Sequence, residues 1–315
     1  MTTTATAPAR AESTRPRRAA PRRRRGRLAP WGFLAPFGVL FLLLFLAPIG
    51  YAVYQSLIRI DRSGPLGLGR AREVFGGLEN YSRAVSDPAF VASIGRVLLF
   101  AAVQVPLMIV LSTVLALLLD SASARWPGLF RGVYFLPYGV PGVIATILWG
   151  FLYVPGVSPI VDGLTAMGLP VDLLGGGSVL WSIANIVTWA FAGYNMLVII
   201  AQLKAIPGEL LEAATVDGAG PLRTVWHVKL PLVRPALVLT TVFTIIGTLQ
   251  LFAEPLVLKP LSTAISFTYT PNLSAFNEAF NNNNYGLAAA ESVLLALGAF
   301  VLSFGFLRLT GRRRR

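Results

Sequence analysis

The sequence predicts an all-α, polytopic membrane protein with six transmembrane helices, and three observations carry that prediction. Hydrophobic residues make up 55% of the 315 and charged residues only 13%, about half the charge of a soluble domain. Charge-free windows cover 28–58, 97–119, 132–161, 173–203 and 235–253, and a sixth apolar run, 286–307, holds only Glu291. Each is close to the ~20 residues that cross about 30 Å of hydrocarbon. The third observation is where Lys and Arg fall. With both termini in the cytoplasm, the cytoplasmic segments hold 20 of the 27 and the outer loops hold 7, the bias that orients membrane proteins.

Composition also excludes. The mean hydropathy is +0.65, so most of the surface must face lipid. There is no Cys, which removes disulfides, thiol catalysis and Cys-ligated metal. A single His, His227, argues against a His-based metal site or a Ser-His triad. The net charge of +13 sits in tails and short loops, so it reads as a topology signal rather than a nucleic-acid face.

Residues 1–28, rich in Ala, Pro, Arg and Thr, read as a disordered basic cytoplasmic tail whose arginines anchor topology and meet anionic lipid. Residues 29–310 form the membrane domain and 311–315 a second basic tail. The helices are placed at 31–54, 95–119, 132–154, 178–202, 235–257 and 286–308. Pro36, Pro48, Pro106, Pro137 and Pro141 fall inside them and are accepted, because neighbouring helices can satisfy freed backbone groups. The first outer loop dissents from the charge rule with six Arg, partly balanced by Asp61, Glu73, Glu79 and Asp87.

The longest polar segment between spans is 205–234. Pro207 can open a helix, Glu209 and Glu212 suit its first turns, and Gly218 can end it with positive φ. Pro221 can open a second helix, amphipathic and lying on the membrane surface, which Pro231 ends before span five. The first helix has a small, alanine-rich surface (Ala213, Ala214) that permits close backbone approach by a partner.

These residues carry a family resemblance. Glu212-Ala213-Ala214, three residues, Gly218, nine residues, Val228, one residue, then Leu230-Pro231 resembles the EAA loop of binding-protein-dependent ABC importer permeases. The one departure is Val228 in place of the usual Ile. FLPYGVPGV (135–143), QLKAIP (202–207) and YGLAAAESV (285–293) extend the likeness over most of 31–310, closest to the carbohydrate branch of maltose, lactose or glycerol-phosphate type. The resemblance implies a type I permease fold, one subunit of a permease pair, in the plasma membrane. It also implies two separate ATP-binding subunits and an extracytoplasmic sugar-binding protein. Coupling to the ATPase falls to Glu212, Ala213, Ala214, Asp217, Gly218 and Pro231. The chain itself needs no cofactor, since ATP and Mg would be held by the partner. In agreement, none of its lysines (Lys204, Lys229, Lys259) follows Gly, so it carries no Gly-Lys phosphate loop.

Ionisable residues within spans are costly and usually functional. Glu254, near the outer end of span five, and Glu291, about five residues into span six, fall at similar depth. Related sugar permeases line their path with residues of spans four and five, which here match Tyr194, Gly247, Gln250 and Glu254. Gln250 and Glu254 are four apart and so would share a helix face. Trp189 and Asn195 are adjacent candidates that read better as bundle packing, the 281–284 Asn run as a solvated turn, and His227 as a polar-face residue. Three other readings are a permease for a non-sugar solute, an ion-coupled carrier and a membrane enzyme. The carrier would want internal repeats with buried charge and the enzyme clustered acids or metal ligands; the sequence offers neither.

Overall fold

The computed structural model describes residues 29–62, 71–121 and 123–311. The two basic tails, apart from Gly311, lie outside the described residues. The chain divides into two compact units at Gly50/Tyr51. The first contains α1 (Ala29–Phe41) and a π turn, Leu42–Leu46, and ends within α2 (Ala47–Ser56). The π turn has a sequence cause. The Ala47 N–H reaches back five residues to the Leu42 carbonyl, and the next residue is Pro48. A widened turn makes room for the proline ring and for the N–H it lacks.

The second unit opens with a feature the sequence reading did not anticipate. Strands β1 (Ile58–Arg62) and β2 (Ala71–Phe75) pair antiparallel, Ile58 opposite Phe75 and Arg62 opposite Ala71. The Ile-Arg-Ile-Asp-Arg alternation has the two-residue period of a strand. Helix α3 (Glu79–Ser86) follows, and its buried Asn80 donates to the Ser56 and Ile58 carbonyls at 2.9 and 2.8 Å.

Helix α4 runs from Pro88 to Asp120, beginning seven residues before the predicted span. Asp87 caps it by accepting from the Ala89 N–H at 2.9 Å, with Pro88 in the first turn. Arg96 lies on this helix. Its guanidinium donates to the Tyr269 carbonyl at 2.6 Å and lies 4.5 Å from the Tyr269 ring centre. Burial pushes the Tyr269 phenol above its ordinary pKa, and the Arg96 charge opposes that shift.

The third span is not a straight helix. Helix α5 (Pro127–Phe135) passes through a 3₁₀ turn (Leu136–Gly139) to α6 (Gly142–Tyr153), and the two limbs meet at 97°. Pro137 and Pro141 remove two donors, and Val140, held before Pro141, is extended at φ −81°, ψ 125°, as a residue preceding proline must be. Pro137 and Pro141 are therefore not accommodated in one straight helix, contrary to expectation; they turn the segment through 97°. Among the described residues five helices are long and apolar enough to cross a membrane, or six if this bent pair counts as one.

Helix α7 (Pro159–Ala166) leads to α8 (Val179–Lys204), then α9 (Gly208–Val216) and α10 (Pro221–Thr224). A second π turn, Val225–Lys229, joins α10 to α11 (Leu230–Leu249). This corrects two expectations: no separate surface helix forms, and Pro231 does not end one. The Leu230 N–H bonds the Val225 carbonyl and Pro231 follows, the solution already seen before Pro48. Helix then runs through to Leu249.

After α11 the helix breaks at Gln250–Phe252 and resumes as α12 (Ala253–Leu258). Pro255 explains the break. In a continuous helix its missing N–H would orphan the Leu251 carbonyl; in the first turn of a new helix no N–H is required. A 3₁₀ turn (Lys259–Leu261), α13 (Pro271–Phe280) and α14 (Tyr285–Gly311) complete the chain. The Asn run is the turn between the last two, with Asn283 at φ 51° and the Asn282 and Asn284 amides donating to Glu278.

Two apolar clusters hold the second unit together. One joins Phe100 of α4 and Val179–Ile186 of α8 to Leu258, Tyr269 and Leu273. The other joins Ala116 and Leu119 of α4, Met196–Leu203 of α8 and Val233 of α11. Between them along α4 and α8 the contacts turn polar: Gln104 donates to Thr188 at 2.8 Å and Ser112 to the Ala192 carbonyl at 3.1 Å.

Candidate functional site

A cavity of about 510 Å³ is lined by α4, α8, α11 and the break after it. Tyr194, Gly247, Gln250 and Glu254 all line it, with Tyr138, Phe191 and Asn195. One expectation about them does not hold. Gln250 and Glu254 do not share a helix face, because Gln250 caps α11 at φ −91°, ψ 16° and Glu254 lies in the first turn of α12. The break, rather than helical spacing, brings both to the cavity.

Tyr138 is a lining residue that the sequence reading did not single out. The bend between α5 and α6 carries its ring to Tyr194, with centres 4.7 Å apart and planes 17° from parallel. Phe191 meets Tyr138 edge-on at 5.8 Å. The Pro-Tyr-Gly-Val-Pro stretch was the available signal: two prolines around a glycine bend the chain and present the tyrosine at its apex. Gly193 makes the approach possible, since a Cβ there would overlap the Tyr134 carbonyl. Asn195 is buried and lines the cavity, whereas Trp189 packs edge-on against Trp149.

Thr240, Thr244 and Thr248 return their hydroxyls to carbonyls four residues back, which removes their donors from apolar surroundings. Thr244 and Thr248 line the cavity. Among the described residues its lining therefore offers aromatic faces, amides, hydroxyls and one carboxylate, with no Lys, Arg or His. Glu291 is not among the residues that line this cavity. It is buried on α14 beside Ser274. Ser292, its neighbour, faces a second cavity of about 970 Å³, and successive helix residues point roughly 100° apart. Gln250 and Phe252 line both cavities, so the helix break is the wall between them.

At one end of α8 and α11 the 205–234 segment projects. Leu210, Val216, Leu222 and Trp226 on it are exposed, Val216 to 88%. Glu212 and Ala213 are exposed and Ala214 is buried. Asp217 caps α9 with its N–H on the Ala213 carbonyl. Gly218 has φ +73°, the left-handed conformation expected at the helix end, and the Ala219 N–H closes the turn on the Ala214 carbonyl at 2.9 Å. Among the described residues Glu212 makes no side-chain hydrogen bond. The segment's ends are held instead by Asp120, which pairs with Lys204 at 3.1 Å and Lys229 at 2.7 Å.

Residues 108–315 match the model of the binding-protein-dependent transport system inner membrane component. The chain belongs to this family. The permease is 31% identical over 291 residues to the sn-glycerol-3-phosphate transport system permease protein UgpA of Agrobacterium fabrum, covering 88% of this chain and 94% of that one. The UgpA of Rhizobium meliloti is 30% identical with similar coverage, 89% and 94%. A bacterial ABC transporter involved in the import of the acidic polysaccharide alginate superposes with a TM-score of 0.77, at 18% identity, over 91% of the permease and 96% of that chain. The fold is accordingly that of an ABC importer permease, and the chain is a multi-pass membrane transport subunit rather than an enzyme.

Proposed function

We propose that this permease carries a neutral carbohydrate, and that the cavity beside Tyr138 and Tyr194 lies on its path. The lining supports this reading. Stacked tyrosines offer flat apolar surface for a sugar ring, while Asn195, Gln250 and Glu254 can pair with hydroxyls. Among the described residues no cation lines the cavity, and an anion moved from water into such surroundings would go uncompensated. The chain would act with a second permease, two ATP-binding subunits that hold ATP and Mg, and an extracytoplasmic binding protein. Both termini would lie in the cytoplasm, and α9 with Gly218 would seat against the ATPase. One similar solved transporter is described in complex with an alginate pentasaccharide-bound periplasmic protein, which supports the last partner.

A second reading, transport of sn-glycerol-3-phosphate, is favoured by the names of the similar sequences. Reconstitution separates the two. ATP hydrolysis by the complex with its binding protein is measured over maltose, lactose, other neutral sugars and sn-glycerol-3-phosphate. Stimulation by a neutral sugar is the expected result; stimulation by the phosphate ester alone would replace this proposal with the second reading.

A further inference from the structure

The coupling segment begins and ends on lysines that meet the same carboxylate. Lys204 is the last residue of α8, Lys229 immediately precedes α11, and Asp120 is the last residue of α4. Lys204 Nζ lies 3.1 Å from one Asp120 oxygen and Lys229 Nζ 2.7 Å from the other. These same three helices line the cavity, through Phe100 and Met108, Tyr194 and Asn195, and Thr244 and Gly247. From this juxtaposition we infer that Asp120 is a positioning residue for coupling: it locks the two ends of the 205–228 segment to α4, so that force on α9 moves the cavity helices as one body.

Three features support an active clamp over incidental surface pairing. The Asp120 side chain is only 8% exposed and that of Lys229 15%, so their pair is shielded from water and salt, whereas Lys204 at 60% contributes less. An acid at a helix C-terminus opposes the helix dipole; Asp120 occupies the least favourable end of α4 for a carboxylate, and the lysines offset that cost. Finally, the two ammonium groups share one anion. Removing it leaves two like charges at the ends of the segment, which then tend to separate. Arg131, whose guanidinium donates to the Leu119 carbonyl at 3.4 Å, adds a third cation near the same helix end and sharpens that imbalance.

This inference rests on the reading of α9 as the ATPase-facing element, and the test keeps the two apart. The permease has no native cysteine, so Thr244→Cys places one reporter in the cavity lining. In the complete complex in membranes, alkylation of that cysteine by a small maleimide is compared without nucleotide and after trapping with ATP and vanadate. Co-purification of the ATPase subunits is recorded in parallel. The inference expects a nucleotide-dependent labelling rate in the parent. In Asp120→Asn the ATPase still co-purifies, but the ratio of the two rates falls to near one. The charge-swapped pair, Asp120→Lys with Lys229→Asp, restores most of the ratio, which a purely structural role for the aspartate side chain would not produce. A parental ratio in Asp120→Asn overturns the inference. So does a swapped pair that assembles without response, or one that fails to assemble while Asp120→Asn does assemble. If a Gly218→Val chain retains both the ATPase and the full response, the docking role of α9 fails, and the inference loses its basis.

Discussion

Gly218 offers the sharpest single-residue test of the coupling segment. Its φ of +73° lies in the left-handed region, and no atom lies within 4 Å of where a Cβ would sit. In the isolated subunit, then, a substitution is penalised by backbone conformation alone. For an L-residue that penalty is about 1–2 kcal/mol, and a β-branched residue there is a genuine outlier. At 1.4 kcal/mol per factor of ten, Gly218→Val lowers the fraction of chains holding the observed turn roughly 5- to 30-fold relative to alternatives. Gly218→Asn tolerates the left-handed region and loses less. The assay is substrate-stimulated ATP hydrolysis by the assembled importer, with membrane content of the permease measured alongside. If conformation is the whole constraint, Asn outperforms Ala and Ala outperforms Val. If a partner's surface also approaches Gly218, all three fail together, and Gly218→Asp fails with them. Val at the parental rate would refute the requirement for this turn.

Other outcomes follow from the same geometry. Tyr194→Ala and Glu254→Ala should each cut substrate uptake at least tenfold while the complex still assembles, measured by radiolabelled uptake and co-purification. Gly193→Ala should push the Tyr134–Tyr138 segment off α8, seen as lowered thermal stability together with lost uptake, whereas Gly247→Ala, with open space at its Cβ, should be stable. Arg96→Gln removes a charge-assisted bond to the Tyr269 carbonyl and a cation–π contact; about 2 kcal/mol of stability should go with it, read as a drop in the midpoint of thermal unfolding.

The sequence disclosed most where lipid imposes the rule. Long windows with no charge, or with Glu291 alone, place α4, α8, α11 and α14, because a helix satisfies its own backbone and charge in hydrocarbon is costly. It disclosed least at prolines, because one residue type had four outcomes. Pro36, Pro106 and Pro235 sit inside continuous helices, as expected of the first two. Pro48 and Pro231 were accommodated by π turns and leave helix running on either side. Pro137 and Pro141, four apart around a glycine, bend the third span. Pro255 moved a helix start to 253 and so opened the break at Gln250. Which outcome occurs depends on neighbours from distant segments, such as the Gly193 contact with the 134–135 backbone, and a linear reading does not contain them. The same limit explains Tyr138, not singled out as a lining residue until the bend lays it on Tyr194, and Glu291, placed at a depth similar to that of Glu254 yet buried beside Ser274 and absent from the cavity lining. Gly218 was legible because a helix stop is a local event.

The most direct test of the central claim is protection of the cavity by its cargo. A Gly247→Cys permease carries its only cysteine in the lining, where a side chain has room. The complete complex is incubated with the binding protein and the neutral sugar that stimulates its ATPase, and the alkylation rate of Cys at 247 is measured with and without that sugar. The account predicts slower labelling with sugar, abolished when Tyr194→Ala is added. An unchanged rate under conditions where the complex transports that sugar would contradict it and move the binding site off this cavity.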